Sequence, residues 1–156
     1  MAKLYSIYFQ KSKPGSPVID TKSQWGVVCK DFPFAVYGET KELPKRDWKD
    51  EDGEDTFIPD RLYMQAYDID VEFAYKGEMD TANEKVIGFL DYLSGKDNSG
   101  AELKVYDTYT KIGRQSVYYK SVEPDLFVRK TDEGDVLTFS VTFRVTDPQT
   151  QITLSI

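Results

Sequence analysis

The sequence predicts a mainly β protein of the α+β kind: an antiparallel β-sandwich or small barrel with one α-helix, at about residues 81–94, packed against it. Three observations predict this. Residues 137–146 alternate strictly, with Leu137, Phe139, Val141, Phe143 and Val145 on one side and Thr138, Ser140, Thr142, Arg144 and Thr146 on the other, the period of a strand with one buried face. A second stretch repeats the pattern: Tyr67, Ile69, Val71, Phe73 and Tyr75 alternate with Asp68, Asp70, Glu72 and Ala74. Only residues 81–94 show apolar positions at helical spacing between cap signals.

Taken in order, Leu4-Tyr5-Ser6-Ile7-Tyr8-Phe9 reads as a first strand, with Tyr5, Ile7 and Phe9 on one face. Pro14-Gly15 marks a turn, and Pro17-Val18-Ile19-Asp20 a short extended piece. Trp25-Gly26-Val27-Val28-Cys29 reads as a buried strand. Residues 31–37 follow, interrupted by Pro33, which suits an edge or a bulge. Residues 38–60 have no period and many charges, and a loop of that length in a compact domain is functional or disordered. Trp48, Phe57 and Ile58 are apolar anchors within it, which either fold the loop back on the body or dock on a neighbour. The second strong strand covers residues 62–75 and ends at Lys76-Gly77.

The helix opens on Thr81-Ala82-Asn83-Glu84, a capping-box pattern. Val86, Ile87, Leu90 and Leu93 form its apolar stripe, with Phe89 at the margin, and Gly95 is placed as its left-handed C-cap. Glu102-Leu103-Lys104-Val105-Tyr106 and residues 114–122 are further strands. Leu126-Phe127-Val128-Arg129-Lys130 is expected to pair across the hairpin loop Thr131-Asp132-Glu133-Gly134. Pro148 cannot donate to a ladder, so the last strong strand should stop near Asp147. Residues 149–156 are a tail of weak strand character.

Composition narrows the function. A chain of 156 residues fits one domain, 1–156, and 11 Tyr with 9 Phe favour sheets and contact surfaces. A net charge of -7 repels phosphate backbones, which argues against nucleic-acid binding as the main task. There is no histidine, which removes the commonest general base, metal ligand and pH switch together. The single cysteine, Cys29, forms no intrachain disulfide and supports no Cys-cluster zinc site. Following Gly26-Val27-Val28, it reads as a small buried hydrophobe on a strand. No apolar run approaches the roughly 18 residues of a membrane helix. The N-terminal residues lack the apolar core of a signal peptide, so a protein made in the cytoplasm, with no membrane association, is expected.

Several constellations invite a chemistry and fail to carry one. The carboxylate run Asp47, Asp50, Glu51, Asp52, Glu54, Asp55 includes Asp-Glu-Asp-Gly, but calcium-loop spacing fails: six residues past Gly53 stands Pro59, where a glutamate is required. Asp68, Asp70 and Glu72 share one strand face, which reads as a solvated outer surface rather than an acid/base pair. No G-x-S-x-G, Walker A or G-x-G-x-x-G occurs. Tyr109, Tyr118 and Tyr119 are candidates for a sugar-stacking face, with core or interface packing as the plainer explanation. An enzyme using carboxylates alone would need a cleft with two acids, which a flat outer face does not provide. No catalytic residue, cofactor or metal is expected.

Three stretches taken together resemble something known: Tyr67-Asp68-Ile69-Asp70-Val71-Glu72-Phe73-Ala74-Tyr75-Lys76-Gly77, the helix with Phe89-Leu90-Asp91-Tyr92-Leu93, and the closing strand that ends Phe143-Arg144-Val145-Thr146-Asp147-Pro148. Strand, crossing helix, Leu103-Lys104-Val105-Tyr106-Asp107, hairpin and terminal strand resemble the structural proteins of tailed-bacteriophage tails, nearest the tail-tube, distal-tail and tail-terminator group, over about residues 62–148. The resemblance implies a β-sandwich or small barrel with one helix alongside and no catalytic residues. It also implies assembly as a ring, commonly a hexamer, among other tail proteins in the virion, with sheets lining a channel that DNA passes through without specific binding. In such a ring Asp68, Asp70 and Glu72 would supply an acidic lumen face, and residues 38–60, anchored by Trp48, Phe57 and Ile58, would reach a neighbouring subunit. The alternative is a carbohydrate- or protein-binding β-sandwich module.

Overall fold

The computed structural model describes residues 4–29, 32–123, 127–131 and 134–155. The elements in chain order are β1 (Ile7–Lys11), β2 (Ile19–Asp20), α1 (Thr21–Trp25), β3 (Val27–Cys29), β4 (Lys45–Arg46), β5 (Asp55–Thr56), β6 (Tyr67–Tyr75), α2 (Met79–Ser94), β7 (Leu103–Asp107), β8 (Gly113–Val122), β9 (Phe127–Thr131) and β10 (Gly134–Val145). Eight strands form one antiparallel sheet in the order β2-β1-β7-β8-β10-β6-β3, with β9 also on β10. β4 and β5 pair apart from it.

The two alternating stretches are neighbours. β10 runs antiparallel to β6 from Leu137 opposite Tyr75 to Val145 opposite Tyr67. This register sets Phe139 beside Phe73 and Phe143 beside Ile69 on the inner face, and Thr142 beside Asp70 and Arg144 beside Asp68 on the outer. β10 is the core strand the sequence predicts: Leu137, Phe139, Val141, Phe143 and Val145 are all buried. Register irregularities at Thr142/Phe143 and Leu103/Val105 add to the normal strand twist. The sheet curls into a half-barrel, the barrel-like form of the predicted β-rich fold. Its two ends touch at one bridge, where Tyr5 N donates to Cys29 O (3.0 Å) and Cys29 N to Tyr5 O (2.9 Å).

The concave side holds an aromatic cluster closed by α2. Phe89 is fully buried, and its ring lies 5.1 Å from Phe73, 5.2 Å from Trp25, 6.0 Å from Phe9 and 6.1 Å from Phe139. The buried stripe of α2 is Ala82, Val86, Phe89, Tyr92 and Leu93, while Ile87 is exposed. The helix is therefore rotated from the expected stripe: Phe89, expected at the margin, is its centre. The large ring fills the hollow of the sheet, and Ile87 is turned outward by the 3.6-residue period.

The structure corrects the sequence reading elsewhere. α2 begins at Met79 with Glu78 as N-cap and no side-chain cap bond. The expected Thr81 capping box does not form. The Thr81 hydroxyl donates to Glu78 O inside the first turn, and Tyr75, not Glu84, reaches this end of the helix. The C-cap is as expected: Gly95 has φ 81, and a Cβ there would stand 2.9 Å from the Gly100 backbone. Among the described residues there are two helices, not one. Asp20 accepts from Lys22 N to cap α1, and Gly26 at φ 70 ends it, so Trp25 sits in a helical turn against Tyr92, not in a strand. Residues 32–37 form no strand, yet Phe32 and Phe34 are buried in the cluster. Residues 150–155 are not a strand either, although Leu154 is buried. β9 pairs with β10 as expected, from Thr131 opposite Gly134 to Phe127 opposite Thr138; Leu126 and the turn residues Asp132 and Glu133 lie outside the described residues.

Two buried charged groups hold turns in place. The Asp107 carboxylate is fully buried, accepting from the Tyr5 hydroxyl (3.0 Å) and from Tyr109 N (2.9 Å) and Thr110 N (3.3 Å). Lys11 is 3% exposed. Its ammonium donates to the backbone oxygens of Tyr92 and Gly100 and lies 4.1 Å from the Tyr92 ring centroid. α2 has no basic residue in its last turn, so Lys11 supplies from β1 the cation that favours a helix C-terminus. Burial pushes its amine down to about 8, with the Asp97 carboxylate opposing.

Two outcomes follow. Phe89→Ala removes the ring that fills the hollow and should cost about 3–5 kcal/mol in urea unfolding. The folded value of Lys11 lies below its unfolded value, so the unfolded chain holds more protons above about pH 8, and stability should climb between about pH 8 and pH 9.5. Tyr5 and Tyr92, raised chiefly by burial, act with the opposite sign only from about pH 10 upward. Urea midpoints of Lys11→Met should lack the climb that the unaltered chain shows in that window.

Candidate functional site

Between Glu39 and Gln65 the chain leaves the sheet as an antiparallel ribbon. Gln65 N donates to Glu39 O (2.9 Å), Lys41 N to Tyr63 O (2.8 Å) and Phe57 N to Pro44 O (3.0 Å). Thr40 bridges Met64, and β4 and β5 set Lys45 opposite Thr56 and Arg46 opposite Asp55. Residues 47–54 turn at the tip, with Gly53 at φ 76. The sequence reading found no period here because the paired pieces are two residues long and the remainder is turn, too short for alternation to register.

This arm collects the exposed apolar surface of the described residues. Of ten exposed large hydrophobic residues, seven fall between positions 36 and 63, which marks a contact surface rather than scattered exposure. The expected anchors Trp48, Phe57 and Ile58 are 44%, 67% and 72% exposed, so they do not fold the arm back on the body. Val36, Tyr37, Leu62 and Tyr63 extend the apolar surface to the arm's root. Trp48 is held in place: its indole N–H donates to Asp55 Oδ2 (3.1 Å), and the Arg46 guanidinium lies 5.8 Å from the ring centroid. Arg61 sits likewise over Tyr63 at 4.7 Å. Pro44, Lys45, Arg46, Asp55, Thr56 and Phe57 line an open depression of about 400 Å³. Residues 39–60 hold nine of the 27 carboxylates and four of the 20 cations, so five of the seven net negative charges belong to the arm.

Asp68, Asp70 and Glu72 are exposed together on the outer face of β6. They do not make a bare acidic surface. Asp68 is bracketed by Lys120 Nζ (2.9 Å) and Arg144 Nη1 (3.1 Å), whose hydrogen bonds hold its carboxyl below the usual carboxylate range, and Asp70 accepts from the Thr142 hydroxyl. Register is the cause: β8 and β10 bring cations and hydroxyls alongside the acids. Such exposed pairs add little stability, but they lower the net charge of the face.

The three tyrosines considered for sugar stacking are not brought together. Tyr109 is in the turn after β7 against Tyr5, at a ring separation of 5.5 Å. Tyr118 is exposed, and Tyr119, its neighbour on the opposite face, packs partly on the core. Among the described residues, no group of three or more His, Cys, Asp or Glu side chains is arranged to hold a metal ion, and no helix is long and apolar enough to cross a membrane.

One group escaped the sequence reading. Arg114, at the start of β8, is 4% exposed. Its Nη1 donates to Gly113 O (2.9 Å) and Gln151 Oε1 (3.0 Å), and its Nη2 to Ala35 O (3.4 Å). In sequence it is an ordinary strand-end arginine; only the meeting of three irregular segments buries it. Gly113 permits that meeting, because a Cβ there would stand 2.2 Å from Ile152 O.

No protein-family model matches the chain, and no curated protein matches it at a significant level.

Because the anchors touch solvent rather than the core, Trp48→Ser, Phe57→Ser and Ile58→Ser should each shift unfolding free energy by less than about 0.5 kcal/mol. Circular dichroism melts of the isolated chain check this.

Proposed function

We propose that this chain is a non-enzymatic structural component of a phage tail, which assembles with further copies of itself into a ring by sheet and arm contacts. The observation that carries the reading is the arm: a hydrogen-bonded ribbon, unpaired with the main sheet, bearing Trp48, Phe57 and Ile58 in solvent. An isolated subunit has no use for apolar side chains held out on a ribbon; an assembled one buries them. The order of strand, crossing helix, hairpin and closing strand supports the same class through its resemblance to the tail-tube, distal-tail and tail-terminator group. In such a ring the mixed outer face of β6, with Asp68 paired and Asp70 and Glu72 exposed, would give passing DNA little to adhere to.

A protein-binding module is the second reading, and the same arm favours it. It differs in the partner, which would be another protein instead of another copy. A carbohydrate-binding module has less support, because Tyr109, Tyr118 and Tyr119 share no platform.

Size-exclusion chromatography with light scattering, followed by electron microscopy, tests the proposal. The expected result is a closed oligomer that the combined variant Trp48→Ser, Phe57→Ser, Ile58→Ser reduces to folded monomer. A chain that stays monomeric at every concentration and joins no tail assembly would overturn it.

A further inference from the structure

We propose that the open edge of β8, beyond the point where β7 leaves it, takes the β5 side of the arm of a second copy of this chain as an added strand. The inference rests on the self-assembly reading above and names the contact within it. β7 leaves β8 where Leu103 stands opposite Val117, while β10 stays with β8 as far as Val122. Among the described residues no strand pairs with residues 118–122 on the side that β7 vacates. Thr146 N donates to Ser116 O and Glu123 N to Ser140 O. These bonds turn the backbone of Tyr118 and Ser121 toward β10 and leave that of Tyr119 and Val122 on the open side. Tyr118, Lys120 and Ser121 are exposed. Such a row of free N–H and C=O groups is a template for a strand of another chain.

The arm offers the matching edge. Phe57 N donates to Pro44 O, just outside the facing pair Lys45 and Thr56. Lys45 and Thr56 therefore point their own N–H and C=O groups out of the ribbon, one to each edge. A two-stranded ribbon by itself is marginally stable in water, and a third strand strengthens it. Charge selects which edge pairs. From Glu54 to Asp60 the β5 side holds three carboxylates and no cation, whereas on the β4 side Lys41, Lys45 and Arg46 offset Glu39 and Glu42. β8 contains Arg114 and Lys120 and no carboxylate. β9, which follows it along β10, contains Arg129 and Lys130 and no carboxylate. Lys120 falls in the register irregularity of the open stretch. Against a second β8 it would meet a like charge; against β5 it meets acids. Phe57 and Ile58 on the same strand add apolar surface, and their exposure shows that the arm does not lie on the edge of its own chain. Arm to edge is a head-to-tail contact between different surfaces, the kind that generates rings when the rotation closes.

Light scattering over a concentration series reads the contact. Thr56→Pro removes the outward N–H of the β5 edge without removing a ribbon bond, and should weaken self-association by on the order of tenfold. Lys45→Pro makes the same change on the other edge and should leave association unchanged. Both positions lie outside the core, so both variants should keep the Tm of the unaltered chain. Mild oxidation of a mixture of Ile58→Cys chains with Lys120→Cys chains should give disulfide-linked dimers that neither preparation gives alone, Cys29 being buried in both. Equal weakening by the two prolines would overturn the proposal. So would linked dimers from Ile58→Cys alone, which would show arm pairing with arm. A closed oligomer with neither the proline difference nor the mixed link would sink this contact and leave the assembly reading standing. A chain monomeric at every concentration would sink both.

Discussion

The pairing of β10 with β6 is the constraint on which the rest of this structure depends. Nine consecutive residue pairs fix which face of each strand is inside, and because side chains alternate with a period of two, a slip of β10 by one residue along β6 would turn Phe139 and Phe143 into water and bring Arg144 into the core. The penalty for that slip is what locks the register. With it locked, twist and two irregularities curl the sheet far enough for Tyr5 to reach Cys29, and the hollow so formed is the size that one phenylalanine on a crossing helix fills.

The same register sets the chemistry of the outer surface. The acids of β6 are not isolated, because the strand that buries their alternating neighbours also brings Arg144 and Thr142 beside them, and β8 adds Lys120. Core and surface are therefore one decision made twice, once on each face. Loops are governed by different means. Where the sheet ends, the chain uses buried charges to pin irregular backbone: Asp107 organises the turn after β7, Lys11 closes the end of α2, and Arg114 ties the arm's root to the C-terminal segment. Each sits where backbone carbonyls or amides lack a regular partner.

The arm stands outside this arrangement. Its ribbon hydrogen bonds give it shape without help from the core, which is why its apolar residues remain in solvent and why its shape survives their exposure. An element that is ordered by its own backbone and apolar at its surface is prepared for a partner before the partner arrives, and such preorganisation lowers the entropic cost of association.

The long periodic elements were legible in the sequence because each carries its own evidence: alternation in residues 67–75 and 137–145, helical spacing before Gly95, a proline to end the last strand. The buried thiol of Cys29 and the pairing of β9 with β10 were legible for the same local reasons. What the sequence could not carry was anything decided by distant partners. Whether Phe89 or Ile87 faces inward depends on the hollow that β1, β6 and β10 make. Thr81 failed as a cap because the helix started two residues earlier, beside Tyr75. α1 went unread, because five residues are too few for a helical period to register. Trp48, Phe57 and Ile58 were visible as apolar residues in a charged run, yet only the ribbon's pairing decided that they point away from the body. Nothing local in the sequence marks Arg114 or Lys11, and burial, a property of the folded chain alone, sets them apart. Local pattern determined which segments are strand or helix, because those rest on neighbours in the chain; tertiary structure decided which side chains are alone, paired or exposed, because those rest on neighbours in space.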